Sequence, residues 1–484
     1  ALFVALPLGA FIAFSISKGF LNLFNIDYEV FQVSRQAITF QVLAAILVPL
    51  LAALWPVLSG ATITVREAIA SYGLGGDFGN SKLDRLVERV AQKILSAPYA
   101  IAIGNMFRRK GRLIFTQVAL ITAGAMVLMV MSLSASINFS LDNETARNDY
   151  DTIVFFEDEE RIDRVVALAQ SLPDVETAEV RFSHSASILR QGQRASEAGI
   201  GTQLVGLPNS SDMFQPIVVA GRWLLPEDGR AIVIYEKTAE DNNINLGDTV
   251  TLDLNQQGKS DWMVVGLYTQ IFSGFGSFDS IYANRDAVFQ TIGTYNRGSG
   301  LYVRTHSHDE ESVNKITEQL KMVYDAENIK VNSTQTALEI RQQADSTFAI
   351  SISMLFSMAV IVAVVGGVGL MGALSISVVE RTREIGVMRA IGARSLTIMG
   401  MFMTEGVLQG FFSWFIVVPL SFILARPMAD ALGQVMFSAN LDYRYNLKAV
   451  LVWLAIVLII AMLASIIPAR NATRISVRDS LAYQ

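Results

Sequence analysis

Long uncharged apolar runs constrain this chain more than any other feature. They occupy residues 1–17, 113–137, 347–378, 411–425 and 449–468, with a fainter one at 36–56. A helix needs about 20 apolar residues to cross the hydrocarbon core of a bilayer, and no water-soluble core of this size requires such runs. Only 17% of the 484 residues are charged, where a soluble protein carries about 25%. The chain therefore reads as an integral membrane protein.

The formal net charge of −6 hides a division. Residues 138–345 hold 17 Lys and Arg against 32 Asp and Glu, a net of −15, and the remainder has a net of +9. Basic residues crowd three membrane edges: Arg108 to Arg112, Arg381 to Arg394, and Arg470 to Arg478. The bias of Lys and Arg toward the cytoplasmic side places these edges inside. The acidic block then lies outside. Span 113–137 leaves the cell, 346–378 returns, 379–396 is cytoplasmic, 397–468 holds two further spans, and the tail 469–484 is cytoplasmic.

The sequence opens on Ala1 within an apolar run that has neither a basic leader nor a small-residue cleavage site. It reads as a cut through a longer protein. An internal repeat supports this. "LWPVLSGATITVREAIASY" (54–72) matches "IIPARNATRISVRDSLAYQ" (466–484), with Pro56 opposite Pro468, Arg66 opposite Arg478 and Ala70 opposite Ala482. Pro7 lies opposite Pro419, so both proline pairs are 49 residues apart. Residues 1–72 thus read as the last two spans and tail of one unit, and residues 96–484 as a whole second unit running in the same direction. Between them, 73–112 is a cytoplasmic linker. Within it, 82–95 carries Leu83, Leu86, Val87, Val90 and Ile94 on one helical face. Such a basic amphipathic helix beside a span lies in the headgroup layer or packs on a partner.

The outer block alternates strand-like and helix-like segments. Strands are expected at 151–158, 230–240, 246–254, 261–270, 301–305 and 328–332, and helices at 159–172 and 309–323. A further helix from about residue 334 is expected to run without a break into the span that follows, which would carry motion across the membrane surface.

Catalytic chemistry is missing from the pattern. Gly258-Lys259-Ser260 resembles the end of a phosphate-binding loop, but Asp253 stands where the motif needs its first glycine. His306 and His308 precede a helix whose N-cap is Asp309, which fits a capped turn better than a metal site. His184 stands alone. With no cysteine, disulfides and thiolate metal sites are excluded. Glu405, the one acid near a span, fits a structural pairing with a nearby arginine. Gly366, Gly367, Gly369 and Gly372 let a span approach its neighbours closely, or soften it as a hinge.

"ISVVERTREIGVMRAIGARS" (376–395) is the most informative stretch. It lies between two spans, is cytoplasmic, and puts Glu380, Arg381, Arg383 and Glu384 at its start. Ile385, Met388 and Ile391 follow at a spacing of three, and Arg389 and Arg394 lie toward its end. A loop that only satisfies the positive-inside bias needs no apolar face, whereas a docking surface needs both features.

"ERTREIGVMRAIGAR" resembles the signature of FtsX-like (MacB-like) ABC-transporter permeases. "NMFRRKGR" (105–112), the glycine-rich span and "IPARNATRISVRDSL" (467–481) resemble that family too. The resemblance implies a membrane α-helical bundle, a four-span unit plus two spans of a preceding unit, with an inserted extracytoplasmic α+β domain over 138–345. It implies a separate cytoplasmic ABC ATPase, two copies of it, that binds the ATP; the chain itself then holds no cofactor, metal or catalytic residue. Glu380, Arg381, Arg383, Glu384, Ile385, Gly386, Met388, Arg389 and Gly392 become the ATPase-coupling residues. The other partners expected are membrane lipid and an outer cargo or protein, with no nucleic acid. Export or mechanotransmission acting on a lipoprotein, lipid, peptide or drug is the function implied. A non-transporting regulator of an envelope hydrolase is the alternative.

Overall fold

The computed structural model describes residues 2–23, 34–61, 110–189, 200–270, 279–437 and 440–475. The amphipathic stretch 82–95 and the repeated tail positions 62–72 and 476–484 lie outside them. In chain order the helices are α1 (Leu2–Leu23), α2 (Arg35–Ala61), α3 (Lys110–Arg147), α4 (Ile162–Gln170), α5 (Glu236–Asp241), α6 (Arg285–Ile292), α7 (Glu310–Ala326), α8 (Ala337–Glu380), α9 (Thr382–Ala390), α10 (Ser395–Phe437) and α11 (Leu447–Ala472). Among the described residues four helices are long and apolar enough to cross a membrane: Leu113–Arg147, Ala337–Glu380, Ser395–Val435 and Leu447–Ala472. The N-terminal pair contributes shorter apolar stretches, Leu6–Ser15 and Arg35–Leu47.

Two compact units divide the chain, and the boundary falls inside all four long helices, at Leu128, Ala349, Leu420 and Leu447. In the unit that holds the inner part of the bundle, α3 is the hub. Half of its most apolar stretch is buried, against 17% for α8. A Cβ on Gly366 of α8 would stand 3.4 Å from the Ala119 carbonyl oxygen of α3. Gly124 of α3 lies under the buried Trp453 ring of α11. Gln117 Nε2 of α3 donates to the Gln409 carbonyl of α10 at 3.0 Å. Small residues and interhelical hydrogen bonds hold spans together because lipid supplies no hydrophobic drive between them.

The other unit contains the sheet domain. Its strands are β1 (Thr152–Arg161), β2 (Val175–Leu189), β3 (Ile200–Leu207), β4 (Ile217–Gly221), β5 (Ala231–Tyr235), β6 (Thr249–Asp253), β7 (Lys259–Thr269), β8 (Ser280–Asn284), β9 (Arg297–Thr305) and β10 (Val331–Thr336). The order is β10-β1-β9-β2-β3-β8-β5-β7-β4, with β6 bridging β2 and β7. The first four strands, with α4 after β1 and α7 after β9, make two interleaved β-α-β units of the split type. Strand β2 is 15 residues long. Its first half pairs with β9 and its second with β3 and β6, so it belongs to both halves of the sheet. The core of the first half is built from Val154, Phe156, Val165, Val180, Leu301, Val303 and Tyr324. Tyr324 stacks edge-on to Phe156 at 5.1 Å and donates its hydroxyl to the Val165 carbonyl at 2.8 Å.

Several expected elements move by a few residues. β1 runs through Arg161, so the following helix starts at Ile162 rather than 159. The strand expected at 230–240 ends at Tyr235, where α5 takes over. Gly258 makes the turn after β6 with φ +87°, while Lys259 and Ser260 already belong to β7. The strand expected at 328–332 begins at Val331.

Both stalks join the sheet without slack. At the end of α3, Asn148 bridges Phe214, Asp149 N–H donates to the Met213 carbonyl at 3.0 Å and Gln215 N–H donates to the Arg147 carbonyl at 3.0 Å. Arg181 fills the space beside this junction. Its guanidinium lies 3.9 Å from the Tyr302 ring centre and pairs with Glu179 at 3.0 Å. At the other stalk, β10 ends at Thr336 and α8 starts at Ala337. Glu339 accepts from Thr336 N–H at 2.8 Å and Thr336 Oγ1 accepts from Glu339 N–H at 3.1 Å. This reciprocal capping box satisfies two otherwise orphaned donors and fixes the direction of the helix. From there α8 continues for 44 residues to Glu380, the unbroken helix that the sequence predicts.

Candidate coupling site

The expected coupling segment contains a separate short helix. α8 stops at Glu380 because Arg381 leaves helical geometry, with φ −100° and ψ 15°. α9 then spans nine residues. It stops at Gly392, whose φ of +99° is a conformation that only glycine adopts without strain. Gly392 N–H donates to the Arg389 carbonyl and Ala393 N–H to the Met388 carbonyl, both at 2.9 Å. These two bonds make a Schellman stop. Gly392 therefore defines where the helix ends.

One face of α9 is held from behind. Ile385 is fully buried in a cluster with Val378, Ile398, Phe402, Ala469 and Ala472, and Met388 packs on its edge. Gly386 is buried as well. Arg381 pairs with the buried Glu405 at 3.2 Å and stands over the Phe402 ring, tying the start of α9 to α10. Arg389 reaches the chain end of α11: it donates to the Ile475 carbonyl at 2.8 Å, to the Thr473 carbonyl, and to Ser395 Oγ at 3.1 Å.

The spacing of Ile385, Met388 and Ile391 suggests one apolar docking face, but the structure divides them. Ile385 and Met388 face the bundle, while Ile391 is 83% exposed beside the helix stop. The outward side consists of Glu380, Arg383, Glu384, Val387, Ile391, Arg394 and Leu396. A groove of about 430 Å³ runs between α9 and α10, bordered by Arg383, Val387, Met388, Met401 and Phe402. The combination of exposed charge and exposed apolar side chains on a helix braced from behind suits a protein contact.

The four span glycines also divide. Gly366 and Gly367 are buried, and a Cβ on Gly367 would come within 2.8 Å of Ile460. Gly369 and Gly372 face open space, and α8 passes through all four without a break. Sequence reasoning missed the close-packed Gly124, Gly406 and Gly410, which meet Trp453, Ser465 and Ala461.

The remaining candidates are accounted for locally. Asp309 caps α7 by accepting from Ser312 N–H at 3.0 Å. His308 Nδ1 lies 2.9 Å from Asp151, whose carboxylate holds the imidazole above its usual range. His184 stacks on Phe182 and lies 3.3 Å from the Leu254 carbonyl. Among the described residues no group of three metal-ligating side chains occurs.

Four helices long enough to span a membrane, an inserted sheet domain on two stalks, and a braced inner helix define a multi-pass membrane protein of the permease type. Residues 356–477 match the family model "FtsX-like permease C-terminal", and residues 113–323 match "MacB-like periplasmic core domain". The chain thus carries an FtsX-like permease domain and a MacB-like periplasmic core domain and is a multi-pass inner-membrane protein.

Among its relatives is a protein of Hahella chejuensis named macrolide export ATP-binding/permease protein MacB. It is 29% identical over 283 residues, which are 55% of this chain and 41% of that one. An uncharacterized ABC transporter permease of Methanocaldococcus jannaschii is 25% identical over 54% of this chain and 64% of its own. The chain thus spans less than half the length of the Hahella relative. The solved periplasmic region of MacB from Actinobacillus actinomycetemcomitans aligns with 41% of this chain and 92% of its own at 15% identity, with a TM-score of 0.31.

Proposed function

We propose that the chain couples ATP hydrolysis in a separate cytoplasmic ABC ATPase to movement of the sheet domain outside the membrane, in export or mechanotransmission acting on a lipoprotein, lipid, peptide or drug. The supporting observation is α9 itself: anchored by Ile385, Arg381 and Arg389 on one side, it exposes Arg383, Val387 and Ile391 on the other. A partner pressing on a braced helix displaces the spans attached to it, where an unbraced loop would yield. The ATP belongs to the ATPase, and this chain contributes no cofactor. The repeat of 54–72 in 466–484 favours two copies of the ATPase.

Charge reversal tests this. Arg383→Glu and Glu384→Arg should each weaken co-purification with the ATPase about five- to tenfold, the range for a lost interfacial charge contact, without altering the melting of the chain. Unchanged capture and unchanged stimulated turnover in both variants would refute the assignment.

A further inference from the structure

The connector between α10 and α11 is bound to α3 by a ladder of serines. Ser132, Ser136 and Ser140 are fully buried and four residues apart, on one face of the helix. Each accepts a backbone N–H from the extended segment 441–446. Asp442 N–H donates to Ser140 Oγ at 2.8 Å, Arg444 N–H to Ser136 Oγ at 3.0 Å and Asn446 N–H to Ser132 Oγ at 3.4 Å. Side chains reinforce the ends. Asn143 Nδ2 donates to Asp442 at 2.8 Å, Arg147 stands 3.8 Å from the same carboxylate, and Arg444 lies over the Phe139 ring.

The spacing explains why this works and where it ends. Four residues of α-helix rise about 6.0 Å, and two residues of extended chain rise about 6.6 Å. Alternate amides of the connector therefore meet every fourth helix position, losing roughly 0.6 Å of register per rung. The rungs lengthen from 2.8 to 3.0 to 3.4 Å in that direction. The next helix position, Leu128, has no hydroxyl. Out of this register the three amides would lose these partners, a loss that favours holding it.

Both stalks are thus held, α3 by the connector and α8 by α3, whose Asp142 pairs with Arg341 at 2.9 Å. α8 runs from the sheet domain to the coupling segment, while α3 is strapped to the outer ends of α10 and α11. We infer that Ser132, Ser136 and Ser140 are positioning residues that fasten this stalk pair to the connector, so that displacement of α8 moves the sheet domain with α3, α8 and the connector as one body. This rests on the coupling function proposed above.

The chain has no cysteine, so introduced pairs can be labelled alone. In lipid nanodiscs the amides of Asp442, Arg444 and Asn446 should exchange slowly with deuterium, and in Ser136→Ala/Ser140→Ala those of Asp442 and Arg444 should exchange at least tenfold faster. With the ATPase bound, spin labels at the exposed positions Tyr295 and Ile467 should report an ATP-driven distance change. The double variant should lose more than half of it while basal hydrolysis stays within twofold. Equal exchange rates overturn the strap. Faster exchange with an undiminished distance change overturns its positioning role. If the unmutated chain itself shows no ATP-driven change, the coupling function fails, and the exchange result alone decides the strap. Should the double variant not fold, Ser140→Ala must release Asp442 alone, and an unchanged Asp442 amide overturns the inference.

Discussion

The Arg381–Glu405 pair sets how firmly α9 is held, and its removal should be asymmetric. The two charges approach to 3.2 Å, with the arginine side chain 13% exposed and the glutamate 2%. At an effective dielectric of about 20 the attraction is roughly 5 kcal/mol, most of it offset by stripping both groups of water. The net value of the pair is therefore small, and the larger effect comes from leaving one member behind. Arg381→Met takes the guanidinium from a carboxylate that has almost no access to water, which costs about 3–5 kcal/mol. Glu405→Gln strands an arginine at the edge of the bundle, whose long stem can carry its charge toward the headgroups. That variant should lose only about 1–2 kcal/mol, in the range for a weakened charge-assisted hydrogen bond. The double variant should recover most of the larger loss, giving a coupling energy of about 3–4 kcal/mol in a double-mutant cycle. Reversible unfolding of the four proteins in mixed micelles measures all of these. Equal losses in the two single variants, or a double variant equal to their sum, would refute the reasoning.

Two further predictions are separable. Gly367→Ala and Gly124→Ala drive a methyl into Ile460 and Trp453 and should each destabilise by about 1–3 kcal/mol. Gly369→Ala and Gly372→Ala meet open space and should be neutral or stabilise by up to about 1 kcal/mol through helix propensity, all read by thermal melting in detergent. In the sheet domain, the hydrogen bond and the charge of Asp151 raise the His308 pKa above 6.5. A raised folded value means that the pair's contribution is fully present below about pH 6.5 and is lost as pH rises through the folded pKa. A histidine NMR titration should place the His308 midpoint above 6.5, and Asp151→Asn should bring it down.

What could be read in advance was whatever a short stretch decides by itself. Lipid demands an uninterrupted apolar helix, so the four spans follow from composition alone. Asp309 caps α7 from three residues away, and the β10–α8 junction likewise depends only on Thr336 and Glu339, a capping box written in Thr-Ala-Leu-Glu. Beyond that range the sequence leaves choices open. A spacing of three marks Ile385, Met388 and Ile391 as one side of a helix, yet periodicity cannot say what covers that side. In the folded chain it is covered by residues of α10 and α11, up to about ninety positions away in sequence, and the Schellman stop rotates Ile391 out of the set. Likewise four glycines in one span look equivalent until Ala119 and Ile460 are brought against two of them. The serine ladder is the extreme case. Three serines in an apolar helix read as neutral filler, and their partners lie about three hundred residues along the chain. Their meaning depends on a coincidence between the rise of a helix and the rise of an extended strand, which neither segment reveals alone. The parts that could transmit force are therefore the parts least visible in sequence, because transmission requires contacts between segments that are remote along the chain.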